Sequence, residues 1–180
     1  MPRTVVVSLL KAFCFLLINS SVYAYAVDGL RIHNPDLFQY VREYMPRTGT
    51  LKTTNKGFVY LDIDDNYVME ILKQLKDSRY TVNRGFSNIG AHISVMVEEE
   101  SQGKRIKEFG KKINFNPLGF YSVVMDDKEY FMLAIDAPEL TKIRAKYGLH
   151  PKLHGHTFHI TLGVRKFEDD REDELAELRH

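Results

Sequence analysis

The segment 158–164, FHITLGV, places a histidine and a threonine two residues apart inside an apolar run. Its β-branched and aromatic residues predict a β-strand, and residues two apart in a strand lie on the same face. His159 and Thr161 therefore share one face, and Ile160 points to the other. Such a polar pair is either a structural histidine with a satisfied partner or one half of an active site.

A second segment of the same form, AHIS at 91–94, occurs earlier in the chain. His92 and Ser94 share one strand face, and Ile93 between them points to the opposite side. Both segments follow the same order of predicted elements, namely a strand that ends in Ile-Asp, a helix and a loop. If a pseudo-two-fold axis relates the two halves, both histidines and both hydroxyls converge on one cleft.

The periodicity of the apolar residues predicts the other elements. The first half contains strand 57–64, helix 65–77 and strand 89–97, and the second contains strand 129–136, helix 137–149 and strand 157–164. We also expect helices at 34–45 and 101–113, a loop at 47–57, and a hairpin that joins 120–125 to 130–135.

These elements predict one α+β domain. We expect two pseudo-symmetric lobes around a central cleft, each lobe consisting of a mostly antiparallel sheet with helices on its outer face. The core of this domain is expected at about 57–165.

Residues 1–26 have the layout of a secretory signal peptide. Basic Arg3 precedes an apolar stretch, and Ala24-Tyr25-Ala26 fits the cleavage rule, so we place cleavage after Ala26. The alternative, an uncleaved membrane anchor, requires a longer apolar run than this one. We then expect residues 27–180 to form a single domain that is periplasmic or secreted. Its end, residues 166–180, is expected to be a charged, solvated tail.

Cleavage also changes the charge and the cysteine content of the chain. Cys14 is the only cysteine, so the mature protein has neither a disulfide nor a thiolate nucleophile. Loss of Arg3 and Lys11 changes the formal net charge from +1 to −1. A nearly neutral protein has no extended positive electrostatic field that would attract a long polyanion, so tight binding of long nucleic acid is disfavoured. A small phosphate-bearing substrate in a local pocket stays possible.

The two H-x-[ST] motifs, His92-Ile93-Ser94 and His159-Ile160-Thr161, resemble those of the 2H phosphoesterase superfamily, which includes RNA 2′,3′-cyclic phosphodiesterases. An exported single-domain form is similar to the bacterial subgroup called Swiss Army knife. The resemblance extends from about residue 57 to residue 164. It implies a cyclic phosphodiesterase that acts on a small nucleotide or an RNA end, and histidine roles that exchange when the reaction runs in reverse.

The chemistry of these residue types fits that expectation. Opening a cyclic phosphodiester needs a base that activates water and an acid that protonates the leaving ribose oxygen, and imidazole serves as either near neutral pH. His92 and His159 are the catalytic candidates, and this pair needs no metal or other cofactor. Ser94 and Thr161 would donate hydrogen bonds to the phosphate oxygens, whose charge grows in the transition state. We expect a monomer.

Other residues are candidates for contact with the substrate. Arg165 has the same strand parity as His159, and Lys152 lies in the loop before it, so either cation could reach the phosphate. Tyr60 and Phe131 are aromatic residues near strand ends that could stack on a base. For each of them the alternative is an ordinary solvated or core side chain.

The segment LHPKLHGHTFHIT contains His150, His154, His156 and His159. Histidine at this density can bind Zn²⁺ or Cu²⁺, although no carboxylate or cysteine accompanies it. We expect the loop to shape the rim of the pocket, with His156 as a substrate contact. The alternative function is an exported, non-catalytic domain that binds a nucleotide, or a metal ion through this loop.

Overall fold

The computed structural model describes residues 29–83 and 86–167, except for the side chains of residues 86 and 87. The predicted leader (1–26) and all but the first two residues of the predicted tail (166–180) lie outside the described residues. No helix in the described ranges has both the length and the apolarity needed to cross a bilayer.

The described residues contain the following strands and helices. The strands are β1 (Leu30–Ile32), β2 (Thr48–Thr53), β3 (Val59–Asp62), β4 (His92–Met96), β5 (Lys112–Asn114), β6 (Asn116–Met125), β7 (Lys128–Asp136) and β8 (His159–Lys166). The helices are α1 (Pro35–Tyr44), α2 (Asn66–Leu75), α3 (Phe86–Ile89), α4 (Glu98–Ser101) and α5 (Pro138–Lys146).

All eight strands join in one antiparallel sheet with the order β1-β6-β7-β8-β4-β3-β2-β5. The two motif strands, β4 and β8, are neighbours at its centre. Each is flanked by the hairpin that precedes it in the chain, β2–β3 beside β4 and β6–β7 beside β8. This combination of helices and antiparallel sheet confirms the α+β class, whereas the pseudo-symmetric two-lobed arrangement stays a prediction.

One row of apolar side chains runs across seven of the strands, on the face that the helices cover. Its members are cross-strand partners of one another, and all except the last are buried. In sheet order they are Leu51, Leu61, Ile93, Ile160, Leu133, Phe120 and Ile32. Burying one aliphatic or aromatic side chain of this kind stabilises the folded state by about 1.5–3 kcal/mol.

Helices α2 and α5 each pack on a strand from the other half of the sheet. Helix α2 follows β3 but contacts β8, and α5 follows β7 but contacts β4. Gly163 permits the first contact, because a Cβ added there would lie 2.7 Å from Leu72 Cδ2 of α2. Each motif strand is therefore covered by a helix of the other half.

Two element predictions are wrong. Segment 47–57, predicted as a loop, contains strand β2, which pairs with β3 and β5. Leu51 is fully buried there, so pairing on both sides overrides the turn-forming residues around it. Gly49 allows a close approach, because an added Cβ would lie 2.6 Å from the Asp62 carbonyl oxygen.

The helix predicted at 101–113 is the second error. Helix α4 ends at Ser101, and Gly103 and Gly110 adopt positive φ angles of 73° and 84°, which are incompatible with a continuous helix. The last residues of the segment enter strand β5. The predicted helix at 34–45 is confirmed as α1, where the Asn34 side chain accepts a hydrogen bond of 3.1 Å from Leu37 N.

Arg144 of α5 is a fully buried cation that connects the two halves. Its guanidinium makes two hydrogen bonds to the Glu100 carboxylate, at 2.7 and 2.8 Å, and another to the Val95 carbonyl oxygen of β4. It also donates to the carbonyl oxygens of His150, at 2.7 Å, and Lys152, at 3.4 Å. The loop that precedes β8 is thereby attached to β4.

We predict that Arg144→Met lowers the free energy of unfolding by about 3–5 kcal/mol, because Glu100 and three carbonyls lose a buried partner. Lys146→Met on the same helix is the control. The Lys146 side chain is 55% exposed, pairs with Glu108 and lies 5.5 Å from the centroid of the Tyr147 ring, and the loss of such solvent-screened contacts should cost far less stability than the loss of the buried Arg144 contacts. Urea unfolding measures both. Equal midpoints for the two variants would contradict this account of Arg144.

Candidate active site

The site begins at the contact between β4 and β8. Their register pairs Ile93 with Ile160, and in an antiparallel ladder this places His92 beside Thr161 and Ser94 beside His159. The four polar side chains lie on the face opposite the buried isoleucine pair, and all are half-buried. Directly opposed residues are about 4.5–5.5 Å apart between Cα atoms, so two imidazoles and two hydroxyls form one compact block.

The two histidines have the same backbone hydrogen bond. The Nδ1 atom of His92 lies 2.9 Å from the Gly90 carbonyl oxygen, and that of His159 lies 3.0 Å from the Thr157 carbonyl oxygen. A carbonyl oxygen only accepts, so Nδ1 carries the proton in both rings. The lone pair of each neutral imidazole is consequently on Nε2.

Burial lowers the pKa of His159 below its ordinary value near 6.5, because the half-buried ring loses hydration of its charged form. The hydrogen bond to Thr157 opposes this effect, and positive charge on His156 or His92 adds to it. His159 is therefore mostly neutral at pH 7, with a free Nε2 that can accept a proton.

Two aromatic rings surround His92 on the β3 side. Tyr60 and Phe58 both pack edge-on against the His92 ring, each with a centroid separation of 5.9 Å. Tyr60 is 8% exposed, and Phe58 stacks on it at 5.8 Å. Tyr60 thus lies beside His92. Its ring contacts are with Phe58 and His92, and little of it is exposed to a base. Contact of Tyr60 with the substrate stays a prediction.

Phe131, the other aromatic candidate, lies away from the motif residues. It is fully buried in the core on the helix-covered face, where it stacks on Phe120 at 5.3 Å.

A bulge in β8 changes the parity of this strand after the motif. Thr161 pairs with Met132, but Gly163 pairs with the preceding residue of β7, Phe131, so Leu162 is an extra residue. Residues after Leu162 consequently face the side opposite to that expected from strict alternation.

Arg165 lies on the helix-covered side for this reason, away from His159 and Thr161. Its guanidinium forms an ion pair with Glu129 and lies 5.4 Å from the centroid of the Tyr80 ring. The expectation that Arg165 shares a face with His159 and Thr161 is not met, because it assumed an unbroken alternation along the strand. Contact of Arg165 with the substrate stays a prediction.

The loop before β8 contains two residues predicted to contact the substrate, and one of them lies at the groove. His156 lies beside His159 and lines the same groove. Lys152 is not among the residues that line this groove; its backbone carbonyl contacts Arg144 and the His150 ring. Within the described part of the chain, no group of three or more histidine, cysteine or acidic side chains is arranged to hold a metal ion.

An ion pair that the sequence analysis missed flanks His92. Asp62 is the cross-strand partner of His92, and its carboxylate lies 2.7 Å from the Lys52 ammonium group. Lys52 lies in segment 47–57, which was predicted as a loop, so this ion pair was not expected. Recognising β2 as a strand would have placed both side chains on the face of the site.

A groove of about 230 Å³ extends from His159 and Thr161 toward the β6–β7 hairpin. Its floor is built from the side chains that β6 and β7 present on the same face as the motifs. Tyr121, Val123 and Met132 are half-buried members of this floor. The groove therefore adjoins the second motif directly, since His159 and Thr161 are among its lining residues.

Residues 59–169, which include both motifs, match the family model of the Swiss Army Knife 2H phosphoesterase domain. The match covers more than half of the chain, and the chain belongs to this family of 2H phosphoesterases. The resemblance noted from the motifs is thereby confirmed. Comparisons with curated proteins and with solved structures gave no match.

We predict that both histidines are in the Nδ1–H form when neutral. Long-range ¹H–¹⁵N correlation spectra at pH 8 should show Nε2 with the chemical shift of an unprotonated nitrogen in His92 and in His159. Exposed His33 serves as a reference for a ring without this constraint. Protonation of Nε2 in either motif histidine would contradict the backbone hydrogen bonds described above.

Proposed function

We propose that this protein is an exported, metal-independent phosphodiesterase that hydrolyses a cyclic phosphodiester, with His92 and His159 as its acid–base pair. Membership in the 2H phosphoesterases gives a phosphodiesterase-type function in general. The cyclic substrate, the roles of the two motifs and the export are the proposal. Export rests on the leader-like sequence of residues 1–26.

The observation that carries the proposal is the block of two imidazoles and two hydroxyls at the β4–β8 contact. Each neutral ring has its proton directed to a backbone carbonyl, which leaves Nε2 as the reactive nitrogen. Two such nitrogens on opposite sides of one phosphate supply a base and an acid at once. The predicted pseudo-symmetric arrangement of two lobes would place the two Nε2 atoms on opposite sides of the phosphate.

The reaction follows from this arrangement. His159, with its lowered pKa, takes a proton from water as the oxygen attacks phosphorus. His92, in its protonated form, gives a proton to the ribose oxygen as its bond to phosphorus breaks. Ser94 and Thr161 donate hydrogen bonds to the non-bridging oxygens, where negative charge increases in the transition state. The products are a phosphomonoester and a free hydroxyl group, and a monomer contains all four groups.

We predict that His92→Ala and His159→Ala each reduce kcat/KM for a 2′,3′-cyclic nucleotide by about 10²–10⁴-fold in the presence of EDTA. Ser94→Ala and Thr161→Val should each reduce kcat by about 10²-fold or more. His33→Ala, an exposed histidine outside the groove, is the matched control and should retain full activity.

Full activity in either motif-histidine variant would contradict the two-histidine mechanism. Tight nucleotide binding without turnover by the unmodified protein would favour the alternative of a non-catalytic binding domain. Zn²⁺ binding that is lost with His154→Ala or His156→Ala, again without turnover, would favour the metal-binding form of that alternative.

The lowered pKa of His159 also predicts a pH dependence. The neutral ring is the base, so kcat/KM should fall as the pH drops through the pKa of His159 in the folded protein. Because burial places this pKa below the ordinary value of about 6.5, the acidic limb of the profile should be centred below that value. A pH–rate profile whose acidic limb is centred above pH 7 would contradict His159 as the base.

A further inference from the structure

We propose that the groove beside His159 and Thr161 binds one uncharged aromatic ring of the substrate. The substrate class is then a cyclic phosphodiester of a single nucleoside, or of another alcohol that carries one ring. This inference rests on the proposed function, because it takes the phosphate to lie at the two motifs. It identifies Tyr121, Val123 and Met132 as residues that determine specificity.

The strand register gives the distance from the second motif to the far end of the groove. Thr161 pairs with Met132, and Met132 pairs with Tyr121, so these three side chains lie in one row on the same face. Neighbouring strands are about 4.8 Å apart, which places Tyr121 about 10 Å from Thr161. A sugar or similar linker above Met132 would span the distance between a phosphate at Thr161 and a ring at Tyr121.

The chemistry of the groove favours an apolar, flat group. None of the described residues that line it is an aspartate, glutamate, lysine or arginine, and its histidines lie at the phosphate end. The Tyr121 ring offers a stacking surface, and the thioether of Met132 makes favourable contacts with aromatic rings. Beyond His156 and His159, the described lining of the groove has no cationic side chain that would balance the charge of a second phosphate.

The size of the groove limits it to one ring system. Its volume of about 230 Å³ is below the range of about 300–1,000 Å³ that is typical of sites for drug-sized ligands. An RNA end that places two stacked bases on this side would not fit.

Among the described residues, those on the opposite side of the motifs are less suited to an apolar ring. There Phe58 and Tyr60 pack against His92, and Tyr60 is almost fully buried. The next groups along the sheet are the Asp62 carboxylate and its Lys52 partner. An apolar ring that is attached to the phosphate is therefore better accommodated on the His159 side.

The test compares kcat/KM for adenosine 2′,3′-cyclic phosphate with kcat/KM for glycerol 1,2-cyclic phosphate, which lacks a ring. The wild-type protein should prefer the adenosine substrate by about tenfold or more. Val123→Glu, which adds a carboxylate to the groove, and Tyr121→Leu should each reduce this preference about tenfold, mainly through KM. Val124→Glu is the matched control: it is the next residue of the same strand, 59% exposed and outside the groove, and should keep the preference.

An unchanged preference in both groove variants, or no preference in the wild type, would overturn the inference while leaving the proposed function intact. If neither substrate is hydrolysed, the proposed function fails, and calorimetric titration with adenosine 3′-monophosphate and with inorganic phosphate then tests the groove. Adenosine 3′-monophosphate that binds no tighter than phosphate, or equally well to Val123→Glu and Val124→Glu, would overturn the inference. Tighter binding that only Val123→Glu removes would support it.

Discussion

The buried contact between Ile93 and Ile160 is the constraint on which the rest of the structure depends. It is the register point at which β4 and β8 join the two halves into one sheet. Strand residues alternate between faces, so burying these isoleucines turns the neighbouring histidines and hydroxyls to the other face. A slip of one residue would bury a histidine among apolar side chains and expose an isoleucine. The chemistry of the site is therefore a consequence of how the core is packed.

A junction with one register pair needs support from other parts of the molecule, and three contacts provide it. Helix α2 packs on β8, helix α5 packs on β4, and Arg144 joins the Val95 carbonyl of β4 to the loop that leads into β8. Each contact connects residues that are distant in sequence. Together they restrict the relative movement of the two motif strands, which a reaction at one phosphate requires because misplacement of reacting groups by about 1 Å is costly.

The sequence predicts the parts of this arrangement that depend on local periodicity. The strand parity of His92 and Ser94, and of His159 and Thr161, is correct because neither motif is interrupted. The same rule fails at Arg165, because one extra residue, Leu162, reverses the parity, and a bulge has no clear signal in a single sequence. Strand β2 was missed because turn-forming residues surround its buried Leu51, and the pairing with β3 and β5 that stabilises it is not visible in a local sequence window. The groove combines residues from β6, β7 and β8, so its shape follows only from the register between strands.

The central claim is that one phosphate contacts both motifs, and a crystal structure with bound inorganic phosphate or vanadate tests it most directly. The account predicts an anion whose oxygens lie about 2.7–3.2 Å from Nε2 of His92 and of His159, with the hydroxyls of Ser94 and Thr161 also within hydrogen-bonding distance. An anion that contacts only one histidine, or that binds elsewhere while the β4–β8 face stays empty, would contradict it.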